Sequence, residues 1–232
     1  MPRNHRTRQR KGDLERDARR AERRKELLEA ADAVLRKDGP GASMTDIAAA
    51  AGVTKPILYK HFGDKGGLYQ ALAERYLRQL LDLLRTSLTG SGDPKAPIAP
   101  IGDLEDARLR LKDTIDTYLS FIEREKEVYA FLMHRAVGER PEAQATVADF
   151  IRQLGDEIAI ILGEELRRNG VDSGAAEPWA HGMVGMVYLA GDRWLDRPTM
   201  PRARLVEYLT ALLWNGFSSL PADAHSPAAE VS

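Results

Sequence analysis

The sequence contains no cysteine. Disulfides, thiolate catalysis and cysteine-ligated zinc are thereby excluded, and the composition suits a reducing cytoplasm. Long apolar runs are missing too: the longest, Met183 to Ala190, falls far short of the roughly 18 residues a membrane span requires. The N-terminus is basic with no apolar stretch behind it, so no signal peptide is expected and the chain is placed in the cytoplasm with no membrane partner. Catalytic signatures are also lacking: there is no G-x-x-x-x-G-K, G-x-S-x-G or H-E-x-x-H, and no repeated His/Asp cluster. Gly39-x-Gly41 follows a helical pattern instead of a strand and lacks a third glycine, which rules out a dinucleotide loop. His134 and His181 stand alone, as hydrogen-bonded histidines do more often than metal ligands or general bases. An enzyme, a metal site and a cofactor are not expected, so function has to come from binding.

What is present is a globular composition with its charge unevenly spread. The 232 residues are 43% hydrophobic, enough for one large core or one small and one medium domain. The net charge of −1 conceals an asymmetry: residues 1 to 65 carry 16 Lys+Arg against 10 Asp+Glu, a balance of +6, and the remainder is −7. A basic N-terminal third on an acidic body is the footprint of a protein that meets a polyanion with one face.

Within that third, the stretch Ser43 to His61, SMTDIAAAAGVTKPILYKH, reads as a helix-turn-helix. Thr45 is the expected N-cap of the first helix, with Ile47, Ala48 and Ala51 as its apolar stripe. Gly52 supplies the left-handed conformation that ends it, and Val53 plugs the corner. Thr54 is the next expected N-cap, and Pro56 falls in the first turn it opens, where a missing N–H costs nothing. At 100° per residue Leu58 and Phe62 point inward, while Pro56, Tyr59 and Lys60 point away from them. Lys55 can reach a guanine edge, Pro56 and Ile57 a thymine methyl, and Tyr59, Lys60 and His61 are placed as phosphate anchors.

The string from Ala42 to Leu72, T-D-I-A-x-x-A-G-V-T-x-x-x-L-Y-x-H-F-x-x-K-x-x-L, resembles the TetR family of bacterial one-component regulators, densely from Arg24 to Leu72. The resemblance implies an all-α homodimer: an N-terminal three-helix helix-turn-helix DNA-binding domain, then a C-terminal helical ligand-binding and dimerisation domain. Matched position by position, the family's DNA contacts fall on Thr45, Lys55, Pro56, Ile57, Tyr59, Lys60, His61 and Lys65, with Thr54 alongside them. Gly66 and Gly67 depart from the pattern, standing where helix formers are usual; each glycine costs roughly 1 kcal/mol in a helix interior.

The rest of the chain is read as helices around that head. Residues 1–20 hold eight Lys and Arg and almost no apolar side chains, and are expected to be a basic disordered tail or an arm along phosphates. The DNA-binding domain is set at 21–66, opening with an amphipathic helix from Ala21 to Lys37 that Gly39 and Pro40 stop. Asp64 caps a connecting helix through about Leu88, with Lys65 in its first turn. Thr89 to Gly102 is a Gly/Pro-rich loop. Further helices are expected at Leu104–Glu123, Val128–Val137 and Pro141–Asn169. Two more follow, at Ala175–Leu195 and Arg202–Ser219, and residues 221–232 form a disordered tail. Trp179 to Leu195 is apolar almost all round, so one side should face a partner copy. Trp179, Tyr188, Trp194, Leu205, Leu212 and Trp214 are the candidate dimer residues of the 67–220 domain. Tyr118, Ile122, Phe131, Phe150, Leu154, Ile158, Met183, Met186 and Val187 are its candidate effector-binding residues, core at first sight, with thioethers suited to an irregular pocket. F-I-E-x-E-x-x-V-Y and H-G-M-V-G-M-V are similar to actinobacterial regulators of this family that sense long-chain acyl-CoA, which implies a small lipophilic effector.

The expected function is therefore a regulator, in the first instance a repressor, that binds a palindromic double-stranded DNA operator as a homodimer and responds to a small lipophilic effector. Two other classes fit parts of the sequence: a ligandless dimeric architectural protein, and a helical carrier or enzyme that does not touch DNA.

Overall fold

The computed structural model describes residues 3–89, 103–130 and 141–218, and among these there is no strand. In chain order the helices are α1 (Arg3–Asp38), α2 (Met44–Ala50), α3 (Lys55–Phe62), α4 (Lys65–Thr89), α5 (Leu104–Arg124), α6 (Lys126–Ala130), α7 (Pro141–Arg168), α8 (Ala176–Asp196) and α9 (Arg202–Ser218). The chain divides into two compact units, Met1–Arg75 with Glu127–Gln144 and Tyr76–Lys126 with Ala145–Ser232. The division falls inside α4, later than the 66/67 boundary expected from sequence.

The first unit is built on α1 to α3 and the start of α4. Leu27, Ala31 and Leu35 of α1, Ile47 of α2, Leu58 of α3 and Leu68 and Leu72 of α4 are almost fully buried. Helix α1 begins at Arg3 instead of near Ala21, so the stretch expected to be an uncoiled tail is helical. Its residues are mostly good helix formers, and i,i+3 ion pairs such as Arg23–Glu26 at 2.5 Å reinforce it. Gly39, at φ 62°, reverses the chain after α1, and a Cβ there would touch the Glu127 carboxylate at 3.6 Å. Val128 and Tyr129 of α6 are buried in this unit.

The second unit packs the rest of α4 with α5, α7, α8 and α9. Gly191 lets α8 close onto α5: a Cβ there would stand 2.9 Å from the Tyr118 ring and 3.0 Å from Leu119. Arg202, at the start of α9, donates to Asp116 at 2.9 Å and Glu123 at 2.7 Å, both on α5. The Trp194 indole N–H donates to the Met200 carbonyl at 2.7 Å, closing the α8–α9 corner. The expected loop, apart from Thr89, the tail 221–232 and the candidate Phe131 lie outside the described residues.

Candidate functional site

The reading head is positioned by local chemistry. Helix α2 is capped by Ser43, not Thr45, which lies inside it and is exposed. The Ser43 hydroxyl oxygen accepts from the Asp46 N–H at 3.2 Å, and the Asp46 carboxylate accepts from the Ser43 N–H at 3.1 Å. This reciprocal box satisfies two orphan donors where a lone threonine satisfies one, which is why it wins. Hydrogen bonds from Ser43, side chain first and then backbone, hold the Asp46 carboxyl below the ordinary carboxylate range. Gly52, at φ 62°, reverses the chain, and the Val53 N–H donates to the Ala48 carbonyl at 2.9 Å. Thr54 occupies the N-cap position of α3 without lending its hydroxyl, and Pro56 sits in the first turn.

Helix α3 then divides as its spacing requires. Leu58 is wholly buried and Phe62 nearly so, the latter with the Arg24 guanidinium 4.9 Å above its ring. Thr45, Thr54, Lys55, Pro56, Ile57, Tyr59, Lys60 and Lys65 are all exposed, Ile57 at 37% and Tyr59 at 45%. His61 is half-buried, with Nδ1 enclosed and without a hydrogen-bond partner. Burial lowers its pKa, and the cationic Arg20, Lys60, Arg23 and Arg24 lower it further. The α1 arginines beside His61 are a part of this surface that the helix-turn-helix pattern alone does not reveal; the i, i+3, i+4 spacing of 20, 23 and 24 was the available signal. At the start of α4, the Asp64 carboxylate takes the Gly67 N–H at 2.8 Å, and the Lys65 ammonium lies 5.2 Å from the Tyr69 ring centre. A Cβ at Gly67 would lie 1.9 Å from the Phe62 carbonyl oxygen, so the glycine keeps α3 and α4 close where a helix former was expected.

A second candidate site lies in the other unit. A cavity of about 510 Å³ is lined by Leu88 of α4, Leu104 and Leu111 of α5, Ile158, Ile161 and Leu162 of α7, Met183 of α8 and Trp214 of α9. Asp103, Arg110, Glu165 and Asn169 add polar groups. A smaller one of about 70 Å³ shares Leu111, Ile158 and Met183 with it and is otherwise lined by Leu84, Tyr118, Phe150, Leu154, Val187 and Tyr188 among others. Six of the nine candidate effector residues thus come together: Tyr118, Phe150, Leu154, Ile158, Met183 and Val187. Ile122 is wholly buried and lines neither cavity, and Met186 is 37% exposed on the outer side of α8. The polar members Asp103, Arg110, Glu165 and Asn169 were not legible, since nothing local marks which charged residues face a cavity.

The candidate dimer residues divide as well. Trp194 and Leu205 are buried within their own chain, Tyr188 lines the smaller cavity and Trp214 the larger; Trp179 is half-buried. Only Leu212 of the six stands well out, at 59% exposed; Met186 and Leu189 of α8 and Tyr208 of α9 are exposed as well. Trp194 turns inward because its indole N–H finds the Met200 carbonyl, a partner no helical periodicity reveals. Among the described residues no group of His, Asp and Glu could hold a metal, and no helix is long and apolar enough to cross a membrane.

A capped helix-turn-helix with a basic outer ridge, carried by an all-helical chain with a separate cavity-bearing unit, defines a DNA-binding transcriptional regulator. Residues 27–72 match the bacterial regulatory proteins of the tetR family, and residues 99–229 match the tetracyclin repressor-like C-terminal domain. The chain belongs to the tetR family. It is 30% identical, over 86% of its length and 79% of the relative's, to an uncharacterized HTH-type transcriptional regulator of Mycobacterium tuberculosis. The HTH-type transcriptional activator FasR of Mycolicibacterium smegmatis is 29% identical over 87% of this chain and 86% of its own. The fold is shared with the fatty acid degradation regulator FadR from Bacillus halodurans, at a TM-score of 0.62 and 16% identity, covering 84% of this chain and 95% of that one.

Proposed function

We propose that the protein binds a palindromic operator as a homodimer and that a lipophilic effector, held in the α4–α5–α7–α8 cavity, loosens that grip. The observation that carries the DNA-binding part is the division of α3: Leu58 and Phe62 anchor it from behind while Lys55, Ile57, Tyr59 and Lys60 stand free in front. Lys55, Pro56 and Ile57 read base edges, and Thr45, Thr54, Tyr59, Lys60, His61 and Lys65 hold phosphates. A symmetric pair places two such helices in successive major grooves. The outward apolar residues Met186, Leu189, Tyr208 and Leu212 are the face on which the pair forms, through two helices from each copy. The largely apolar lining of the cavity favours a single-chain amphiphile, a fatty acyl compound being the leading case, in line with the name of the FadR neighbour.

The test is a gel shift on the DNA upstream of the protein's own gene. Wild-type protein retards it and the Tyr59→Ala/Lys60→Ala double variant does not; equal retardation by both overturns the assignment of α3. Thermal melting with saturated fatty acids of graded length tests the effector, since a real site raises Tm in proportion to the logarithm of ligand concentration. Repression is the output assigned to operator binding. A second reading, activation, is favoured by the description of the FasR relative as an activator. A promoter reporter in a deletion strain separates them: expression rises on deletion of a repressor and falls on deletion of an activator.

A further inference from the structure

The helix that leaves the reading head, α4, is tied to the cavity walls by several polar links: Ser87 with Thr114 and the Leu88 carbonyl with Arg110, both on α5, and an ion pair to α7. The Arg85 Nε of α4 donates to Glu157 Oε2 of α7 at 2.8 Å, and Arg85 Nη2 donates to Glu157 Oε1, a bidentate pair between residues far apart in sequence. Gln153, one turn earlier on α7, donates to the same Oε1 at 3.2 Å. The two side chains are 33% and 22% exposed, so the link is partly shielded from water. Its position relative to the cavities is informative. Leu84, the residue before Arg85, and Ile158, the residue after Glu157, both line the smaller cavity, and Ile158 lines the larger one too. The smaller cavity, at about 70 Å³, falls well below the roughly 300–1,000 Å³ of an ordinary small-molecule pocket. Leu84 and Ile158 are among the side chains that an acyl tail entering it displaces.

Arg85 also has somewhere else to go. Asp82 lies one turn back on its own helix, exposed, and its negative charge already acts on the guanidinium alongside the Glu157 hydrogen bond and charge. Residues three apart on a helix are neighbours and can pair. The guanidinium thus has one side-chain partner among the described residues, Glu157 of α7, and a carboxylate at i−3 spacing along α4 to which it can turn.

We infer that Arg85 and Glu157 are the positioning pair that couples the cavity to the reading head. With the cavity empty, Arg85 is clasped to Glu157 and α4 is held in the operator-binding arrangement; with a tail inserted, Arg85 passes to Asp82 and α4 is released. The ligand then shifts the balance by the difference in its fit to the two arrangements. This inference rests on the effector-responsive reading above.

The experiment measures operator affinity by fluorescence anisotropy on the same upstream DNA, without and with palmitate, for wild type, Glu157→Gln and Asp82→Asn. Glu157→Gln weakens operator binding about five- to tenfold with no ligand present, the range expected of an allosteric coupling. Asp82→Asn removes the competitor, so operator binding is equal or tighter and the weakening by palmitate shrinks. A merely structural ion pair would lower Tm without weakening ligand-free operator binding in Glu157→Gln or blunting the palmitate response in Asp82→Asn. Arg85→Lys, which keeps the charge but cannot form the fork, falls between wild type and Glu157→Gln. Equal ligand-free affinities for wild type and Glu157→Gln overturn the coupling, as does weakening by Asp82→Asn to the same degree. Wild type that ignores the DNA overturns the regulatory reading and the pair's role with it, whereas binding unaltered in the variants overturns the pair alone.

Discussion

Replacing Gly67 by alanine puts the physical account of the reading head to a test of sign. Helix propensity alone favours the change, since alanine is better than glycine in a helix by roughly 1 kcal/mol. The structure demands the opposite. The new Cβ would lie 1.9 Å from the Phe62 carbonyl oxygen, a backbone atom, so about 1.5 Å of separation must be found to reach ordinary contact near 3.4 Å. That displacement falls on the last turn of α3, where Phe62 is buried with Arg24 above its ring. Overpacking of this kind costs about 1–3 kcal/mol. For a chain of this length each kcal/mol shifts Tm by about 2–4 °C, so a fall of about 2–12 °C is expected by calorimetry. Operator affinity should fall as well, because α3 ends at the strained carbonyl. Gly216→Ala, a helical glycine with nothing within 4 Å of its Cβ, is the control and should be neutral or raise Tm. A Gly67→Ala protein that melts higher than wild type and grips DNA equally well would refute the reasoning.

Three further outcomes follow from other parts of the molecule. His61 binds its proton less tightly in the folded protein than at its ordinary value of 6.5, so the unfolded chain takes up more protons and stability falls as pH drops below that value; His61→Gln should flatten this part of the stability profile, and an unchanged profile would show that the imidazole is not the group responsible. Arg202→Ala frees the start of α9 from Asp116 and Glu123, but the pairs are a third to a half exposed, so the loss is at most about 1 kcal/mol and should shrink in high salt, as urea titrations at two ionic strengths will tell. Leu189→Asp or Leu212→Asp places a charge on an outward apolar residue; sedimentation should give a folded monomer with greatly weakened operator binding, and a variant that stays dimeric places the subunit contact elsewhere.

The parts of the molecule legible in the sequence are those written in local chemistry. Gly52 with its positive φ, Pro56 in the first turn of α3 and the alternation of Leu58 and Phe62 with Tyr59 and Lys60 are decided within a few residues of each other, so spacing suffices. The cap of α2 slipped by two residues because Ser43 and Asp46 act jointly while Thr45 only looks suitable. Helix α1 extends past its apolar pattern through residues that are mostly good helix formers. The C-terminal unit was legible in its helices and only partly in its contacts. Which apolar side chains fail to meet, leaving a cavity, and whether Trp194 turns in or out, depend on crossings such as that of α8 over α5 at Gly191, set by residues distant in sequence.

All three tryptophans, Trp179, Trp194 and Trp214, belong to the unit that holds the cavity, and none to the unit that carries the reading head. Trp214 lines the cavity itself, while Trp194 is sealed in a protein corner by its bond to Met200. Tryptophan emission therefore reports from the C-terminal unit alone. An incoming guest will perturb one indole against a steady background from another, an optical gauge of occupancy that requires no label.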